Sequence, residues 1–434
     1  MKPHNLFLLS LGCSKNTVDA ERLTAQAEAA GLCFTETVDE ADTVIINTCG
    51  FIADAKEESV GAILAAIDKK NDGTIQRILV MGCLPELYRK ELQEELPEID
   101  YFFGTRELPE ILTSLGGRFH ADLFDHRTLL TPPHYAFLKI AEGCNRSCSF
   151  CSIPKIRGAY RSQPIDQLLR EAKLLQQKGV RELNIIAQDI TMFGYDTTGS
   201  SQLNNLLLQL SDMGFDWLRM LYAYPVNFPV EVIKTMNERS NICNYLDIPL
   251  QHGNDRILRS MKRGINKNET IALLDRIRTI NPDIRLRSTM IAGYPGETRE
   301  EFEELLEFIQ EIKFDRLGCF PYHHEEHAPS FSLKETLTTD EKGDRVALLM
   351  ECQQDIATAS NERLTGKTIP ILIESIEDGV AIGRTEYDAP EVDNECLIEL
   401  GTTVGVVPGS FCLAAIEHAS PHDISGRLIS ILKQ

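Results

Sequence analysis

The 434-residue chain predicts a multidomain α/β protein. Its parts are a small doubly wound α/β domain, a partial or full (β/α) barrel, and a small all-β barrel at the C-terminal end. Three observations carry this prediction. Strand-like and helix-like stretches alternate up to about residue 120; some six further β/α units follow from about residue 135; and from about Lys367 helical periodicity gives way to short strands between turn signals. A chain of this length also exceeds one ordinary core. The parts are expected at residues 1–120, 121–134 as a linker, 135–365 and 366–434.

The first part reads as a strand over Asn5–Leu11, a helix over Val18–Ala30, a buried strand over Thr43–Asn47 built on Val44, Ile45 and Ile46, a helix over Ala55–Lys69 and a strand over Arg77–Met81. Cys13, Cys49 and Cys83 each follow one of these strands, with Gly12, Gly50 and Gly82 beside them, which fits tight strand-to-loop turns. The C-terminal ends of parallel strands share one sheet edge, so three ligands distant in sequence can converge there. Three buried structural cysteines would give the same pattern. Arg118 to His134, with Pro132 and Pro133, reads as a connection.

The second part continues with strand Phe137–Ile140, helix Pro164–Lys178, strand Glu182–Ala187, helix Leu203–Met213, strand Trp217–Tyr222, the stretches Val230–Asn237 and Tyr245–Ile248, helix Asn268–Asn281, strand Arg285–Ala292, helix Arg299–Ile312 and strand Arg316–Phe320. In such a barrel chemistry is expected at the C-terminal ends of the strands. The last part offers strands at Ile369–Ser375, Gly379–Thr385, Glu395–Ile398, Ser410–His418 and Asp423–Ile431.

Composition narrows the class. A hydrophobic content of 43% is enough for packed interiors, and no apolar run reaches membrane length. Within Met1–Leu11 the one apolar run, Leu6–Leu11, is too short for a signal-peptide core, so a soluble cytoplasmic protein is expected. Twelve cysteines in a reducing compartment point to metal or redox chemistry rather than disulfides. A formal charge of −21 repels phosphate backbones and suits a basic partner, although a local basic groove remains compatible with it.

Cys144-Asn-Arg-Ser-Cys148-Ser-Phe-Cys151 follows the first barrel strand and so sits at the expected mouth of the barrel. Three thiolates in eight residues can wrap one corner of a cluster that normally takes four ligands, leaving one iron open. The competing reading is a zinc site completed from elsewhere, but zinc modules usually pair two short Cys or Cys/His sets and no second pair is present. Cys33, Cys243, Cys319, Cys352, Cys396 and Cys412 lack local partners and read as packing residues.

Through the CxxxCxxC pattern of Cys144, Cys148 and Cys151 the chain resembles the radical S-adenosylmethionine superfamily. The resemblance implies that these three are the catalytic cysteines holding a [4Fe–4S] cluster, and that the methionine end of S-adenosyl-L-methionine chelates the open iron. Electron transfer would then split the cofactor into a 5′-deoxyadenosyl radical able to take hydrogen from unactivated carbon. Ser10-Leu-Gly-Cys13-Ser-Lys-Asn16, Asn47-Thr-Cys49-Gly-Phe51 and Met81-Gly-Cys83-Leu resemble the N-terminal domain of methylthiotransferases, which implies a second [4Fe–4S] cluster on Cys13, Cys49 and Cys83. Ser14 stands where proline is expected in that family. The last part resembles the family's small TRAM barrel.

Further cofactor contacts are expected at strand ends. Phe150 can face the adenine or pack in the core. Asp189, closing Ala187-Gln188-Asp189, can accept from the cofactor's amino or ribose groups. Gln251, within Asp247-Ile-Pro-Leu-Gln251-His252-Gly253, resembles the family's approach to ribose and substrate. Ile291-Ala-Gly293-Tyr-Pro-Gly296-Glu297-Thr298 resembles the superfamily's turn along the adenosine, placing Gly293 and Glu297 there; Glu297 or Thr298 can also cap the next helix. Arg287 can pair with the methionine carboxylate. His323, His324, Glu325, Glu326 and His327 read as a surface loop after the sixth strand.

Two methylthiotransferase branches compete: one modifies an adenosine of tRNA, the other an aspartate of the twelfth protein of the small ribosomal subunit. Residues 367–434 hold four basic against eleven acidic side chains, which favours docking a basic ribosomal protein over RNA. Lys139-Ile-Ala-Glu-Gly-Cys144-Asn-Arg, Asp315-Arg-Leu-Gly-Cys-Phe320 and Gly383-Arg-Thr-Glu-Tyr-Asp388-Ala-Pro-Glu-Val-Asp393 resemble the protein-modifying branch. The expected partners are that protein and an electron-donor protein, with no membrane. A non-catalytic iron–sulfur or zinc scaffold is the reading from a different class.

Overall fold

The computed structural model describes residues 5–401 and 403–433. Met1 to His4, the start of the Met1–Leu11 stretch, lie outside the described residues, as do Thr402 and Gln434. The first sheet contains β1 (Asn5–Ser10), β2 (Cys33–Phe34), β3 (Thr43–Thr48), β4 (Arg77–Gly82) and β5 (Tyr101–Phe103), all parallel, in the order β2-β1-β3-β4-β5. Alternation along each strand sends Val44, Ile46, Ile78 and Val80 to one face, against Ile63 and Ile67 of the helix Ala53–Asn71. Leu6, Ile45 and Leu79 go to the other, against Leu23 and Ile111. Helices on both faces make the sheet doubly wound, and the strand order reverses between β1 and β3, the kind of switch point at which such sheets bind ligands.

The sequence pattern did not foresee β2, β5 or the helix Cys83–Glu95. In that helix Pro85 and the run Arg89-Lys90-Glu91 interrupt the apolar stripe, and only Cys83, Leu84, Pro85 and Leu92 are buried.

The second sheet begins with β6 (Tyr135–Lys139). A small hairpin of β7 (Ala141–Glu142) and β8 (Arg161–Ser162) stands beside it. The sheet continues through β9 (Glu182–Ile186), β10 (Trp217–Met220), β11 (Ile242–Asp247), β12 (Arg285–Ala292) and β13 (Arg316–Pro321). The parallel order β13-β12-β11-β10-β9-β6 does not close on itself, so of the two expected forms the partial barrel is the one present. One face packs against the surrounding helices in the largest apolar cluster, which includes Leu138, Leu183, Leu218, Leu246 and Leu286.

The opposite face is closed by the C-terminal module. That module is a five-stranded closed barrel of β14 (Thr368–Glu377), β15 (Val380–Arg384), β16 (Glu395–Glu399), β17 (Phe411–Ala419) and β18 (Asp423–Lys433). Phe137, Trp217 and Tyr245 of the sheet share a buried cluster with Leu372, Ala389 and Phe411 of the module. The Trp217 and Phe411 rings meet edge-on at 4.7 Å. Around them lie the ion pairs Arg384–Glu182 (2.6 Å) and Arg316–Asp388 (2.6 Å), and Tyr245 donates to Asp393 (2.6 Å).

The helix Thr339–Glu362 leads into this module and was not foreseen from the sequence, because its buried positions are mostly polar or small: Lys342, Leu349, Gln353, Ala357, Ser360 and Asn361. Among the described residues no helix is long and apolar enough to cross a membrane.

Candidate functional site

Three loops at the switch point of the first sheet are pressed together by their glycines. Cys13 caps the helix Ser14–Ala29, Cys49 follows β3, and Cys83 opens the helix after β4. A Cβ on Gly12 (φ +92°) would stand 2.9 Å from the Cβ of Cys49, and one on Gly50 would stand 2.9 Å from the backbone of Leu84, so larger residues would force the loops apart. Asn16 ties the first loop to the second by donating to Leu11 O (3.0 Å) and Thr48 O (3.1 Å), and Cys49 N–H donates to Ser59 Oγ (3.1 Å). Burial pushes the Cys49 thiol up, and the Cys83 thiol up to about 12, against the pull of the Arg157 guanidinium.

The second trio lies on the loop between β7 and the short helix Ile153–Arg157. Cys144 Sγ accepts from Arg146 N–H (3.4 Å), and Cys148 Sγ accepts from Arg263 Nη1 (3.3 Å) and lies 3.6 Å from the Tyr224 hydroxyl. The guanidinium groups of Arg146 and Arg263 stack on the Tyr224 ring at 4.0 and 4.3 Å. Burial pushes Cys144 up to about 11 and Cys151 up to about 12.

All six cysteines line one cavity of about 460 Å³ between the first sheet and the mouth of the partial barrel. Phe150 and Gln251 line it too, together with Lys15, Phe51, Ile153, Gln188, Tyr222 and Phe320. A smaller space of about 270 Å³ continues past Phe51, Phe150, Gln251 and Phe320 to Thr289, Ile291 and His323. Tyr222 (φ +67°) and Gln251 (φ +78°) hold left-handed backbone, which side-chain-bearing residues rarely adopt and which concentrates at functional sites. Arg157 reaches from the core side to Cys83 Sγ (3.8 Å) and to Asn16, and is anchored by Asp19 (2.6 Å) and Glu142 (3.3 Å). Beyond it lies a cavity of about 450 Å³ lined by none of the cysteines.

The fit to metal follows from the donors. Among the described residues no three His, Cys, Asp or Glu side chains are placed to hold a single metal ion. A four-iron cluster instead takes each of three thiolates on a different iron, so its ligands stand further apart. Two all-thiol trios facing one space are the kind of donor set that iron–sulfur clusters take.

Four expected cofactor contacts are not brought to the cavity wall. Asp189 turns inward, accepting from Thr191 N–H (2.9 Å) and pairing with Arg146 (2.8 Å); its neighbour Gln188 faces the cavity, with its Oε1 unpartnered. Arg287 pairs with Asp247 (2.9 Å) and with Asp393 of the C-terminal module (3.2 Å), and so serves the interface. Glu297 accepts from Gly293 N–H (3.1 Å), faces His252 (3.2 Å) and pairs with Arg345, so both residues build the turn; Thr298 supplies the cap by accepting from Glu301 N–H (3.3 Å). The His323–His327 stretch follows β13 as a loop but is not simply solvated: Glu325 pairs with Lys56 (2.5 Å) and the His327 ring meets Tyr88 edge-on at 4.9 Å. Lys15, Arg157, Tyr222, Tyr224 and Arg263 were not singled out from the sequence. Only Lys15, two residues after Cys13, carried any local signal.

Family models match in chain order: Uncharacterized protein family UPF0004 over residues 5–104, Radical SAM superfamily over 138–309 and TRAM domain over 365–429. A protein of Pelodictyon phaeoclathratiforme named "Ribosomal protein uS12 methylthiotransferase RimO" is 69% identical over 432 residues, covering 100% of both chains. One of the same name from Chlorobium chlorochromatii is 64% identical over 429 residues, covering 99% of this chain and 98% of that one. Among solved structures, the radical S-adenosylmethionine methyltransferase TsrM of Kitasatospora setae superposes with a TM-score of 0.56 at 14% identity, over 76% of this chain and 74% of that one. The cobalamin-dependent radical enzyme OxsB gives 0.51 at 14%, over 82% and 56%. These two likenesses show a shared fold.

Proposed function

The chain belongs to the ribosomal protein uS12 methylthiotransferase family, and on that premise we propose that it transfers a methylthio group to the β-carbon of an aspartate of uS12, the twelfth protein of the small ribosomal subunit. The observation that carries the reading is the single cavity onto which both cysteine trios open.

Cys144, Cys148 and Cys151 would hold one [4Fe–4S] cluster with an iron left for S-adenosyl-L-methionine, and Cys13, Cys49 and Cys83 would hold a second. When bound, these groups supply the hydrogen-abstracting radical and the methylthio group. The residues of the chain supply position and environment. Phe51, Phe150, Ile153 and Phe320 give the cavity apolar walls. Arg157 beside Cys83 and Arg263 beside Cys148 offer charge-assisted hydrogen bonds to sulfur. No side chain is needed as a base for hydrogen abstraction; what matters is bringing the reacting atoms to about 3–3.5 Å.

The acidic character of the C-terminal module supports a basic protein partner, with a smaller set of side chains than the sequence implied. Glu374, Glu386, Asp388, Glu391 and Asp393 are engaged against His134, Asn244, Arg316, Tyr135 and Arg287. Glu377, Asp378, Glu395 and Glu399 remain exposed for a partner. A ribosomal substrate is consistent with a cytoplasmic reaction, and reductive cleavage of the cofactor calls for an electron-donor protein as a further partner.

Anaerobic reconstitution followed by turnover with purified uS12 and tRNA side by side tests this. The expected results are about eight irons per chain and a methylthio addition on the protein. Alanine at Cys144, Cys148 or Cys151 should abolish cofactor cleavage, whereas alanine at Cys13, Cys49 or Cys83 should leave cleavage and stop thiolation. Modification of tRNA alone, with a steep salt dependence, would overturn the substrate assignment; a single bound zinc would overturn the chemistry.

A further inference from the structure

Lys15 stands on the wall of the cysteine cavity with 7% of its surface exposed. Its ammonium lies 2.9 Å from the centroid of the Tyr222 ring. Among the described residues no carboxylate or hydrogen-bond acceptor is recorded for it. Of the other cations of the wall, Arg146 has Asp189 and Arg157 has Asp19. Arg263 has no carboxylate among the described residues and its Nε is unpartnered, but its two terminal nitrogens are spent on Pro249 O and Cys148 Sγ, whereas the Lys15 ammonium has only the ring. A buried cation without an anion is costly, and the face of one aromatic ring offsets only part of that cost. The Tyr222 ring is held beneath it by strained backbone: its N–H donates to Asp247 Oδ2 (2.9 Å), and Asp247 is fixed in turn by Arg287. Gln188 Oε1, also unpartnered at this wall, is an acceptor and cannot serve an anion.

We propose that Lys15 is the carboxylate-recognising residue of this cavity and that, given the function above, the carboxylate it takes is that of the target aspartate. Lys15 comes from the first turn of the helix Ser14–Ala29 and Tyr222 from the loop after β10, so the pair bridges the two sides of the space that both trios face. A carboxylate held there fixes the adjoining β-carbon with respect to both trios. It also separates aspartate from asparagine, which fills the same volume without the charge.

The test uses reconstituted enzyme with uS12 carrying either Asp or Asn at the target position. Binding is measured without reductant, and methylthiolation and 5′-deoxyadenosine are measured with it. Wild type should prefer the Asp protein by about ten- to a hundredfold, the worth of a hydrogen bond to a charged group. Lys15→Met should lose that preference in both binding and turnover and Lys15→Arg should recover part of it, with affinity for S-adenosyl-L-methionine measured on the same variants. Equal iron content confirms that the cysteine loop is intact, and Lys15→Gln replaces the Met variant if it is not. An Asp preference that survives in the neutral variants overturns the proposal, as does a loss confined to cofactor affinity, which would assign the carboxylate to the cofactor. If wild type modifies neither form of uS12, the functional reading falls and this inference falls with it.

Discussion

Ser14 occupies the first position of the helix Ser14–Ala29, and its buried hydroxyl has no hydrogen-bond partner. The N–H of a first helical residue has no intrahelical partner, and Cys13 before it is already extended (φ −102°, ψ 169°), as a residue preceding proline prefers. The proline expected at this place in the family would therefore meet its backbone requirements. Ser14→Pro should stabilise the chain by about 0.4–1 kcal/mol, seen as slower amide exchange through the first helical turn; faster exchange would mean that the ring clashes with the cysteine loop. At the same scale, Asp189 was one of the residues expected to touch the cofactor, yet its neighbour Gln188 is the one that faces the cavity. Position at a strand end was legible in the sequence; the choice between adjacent residues depended on a turn, where Asp189 caps Ile190–Met192 and cannot also face outward.

Strand β12 shows what an element can hide. Its bounds, Arg285–Ala292, were readable, and the sequence offered Arg287 to the methionine carboxylate. Which part of the strand meets the cavity and which meets the C-terminal module was not readable. Arg287 joins Asp247 and Asp393, both almost fully buried as side chains. Removing one member of such a group strands the other charges, at a cost of about 3–5 kcal/mol. Arg287→Met should therefore lower the unfolding midpoint strongly while S-adenosyl-L-methionine affinity stays near wild type. The reverse pattern, weakened cofactor binding in a chain of unchanged stability, would return Arg287 to the cofactor. The helix Thr339–Glu362 hid for another reason: its buried face relies on hydrogen bonds such as Gln353 to Phe314 O (2.8 Å), and a polar face leaves no hydrophobic period to detect.

For the molecule as a whole, the C-terminal barrel closes a sheet that does not close itself, and the contact is charged at its centre. Burial alone would raise the Glu182 carboxyl, but Arg384 and Arg219 hold it below the usual glutamate range. In the same way burial is outweighed at Asp315 by Arg285. Unfolded glutamate titrates at about 4.3. Between that value and the lower folded one, the unfolded chain holds the extra proton, so acid favours unfolding. The contribution is whole above about pH 5 and is lost as pH falls through the folded values. Trp217, the chain's one tryptophan, sits against Phe411 and reports the docking directly. Its emission should hold steady from about pH 7 to 5 and shift red only in stronger acid. Arg384→Met should move that transition to higher pH, because Glu182 then keeps only Arg219. A transition unmoved by the substitution would show that other groups control docking.

The sequence by itself determined the three-part order, the parallel strands and the trio Cys144, Cys148 and Cys151, because each is written in short-range periodicity or spacing that survives in any context; that Cys13, Cys49 and Cys83 line the same cavity depended on the fold. Which side chains complete the cavity, and which charges are already taken, was decided only by tertiary structure. Arg287 meets Asp393 across 106 positions, and Arg157 meets Asn16 across 141. A charge reads the same in sequence whether it faces solvent, a ligand or a distant partner, and only folding brings that partner within reach.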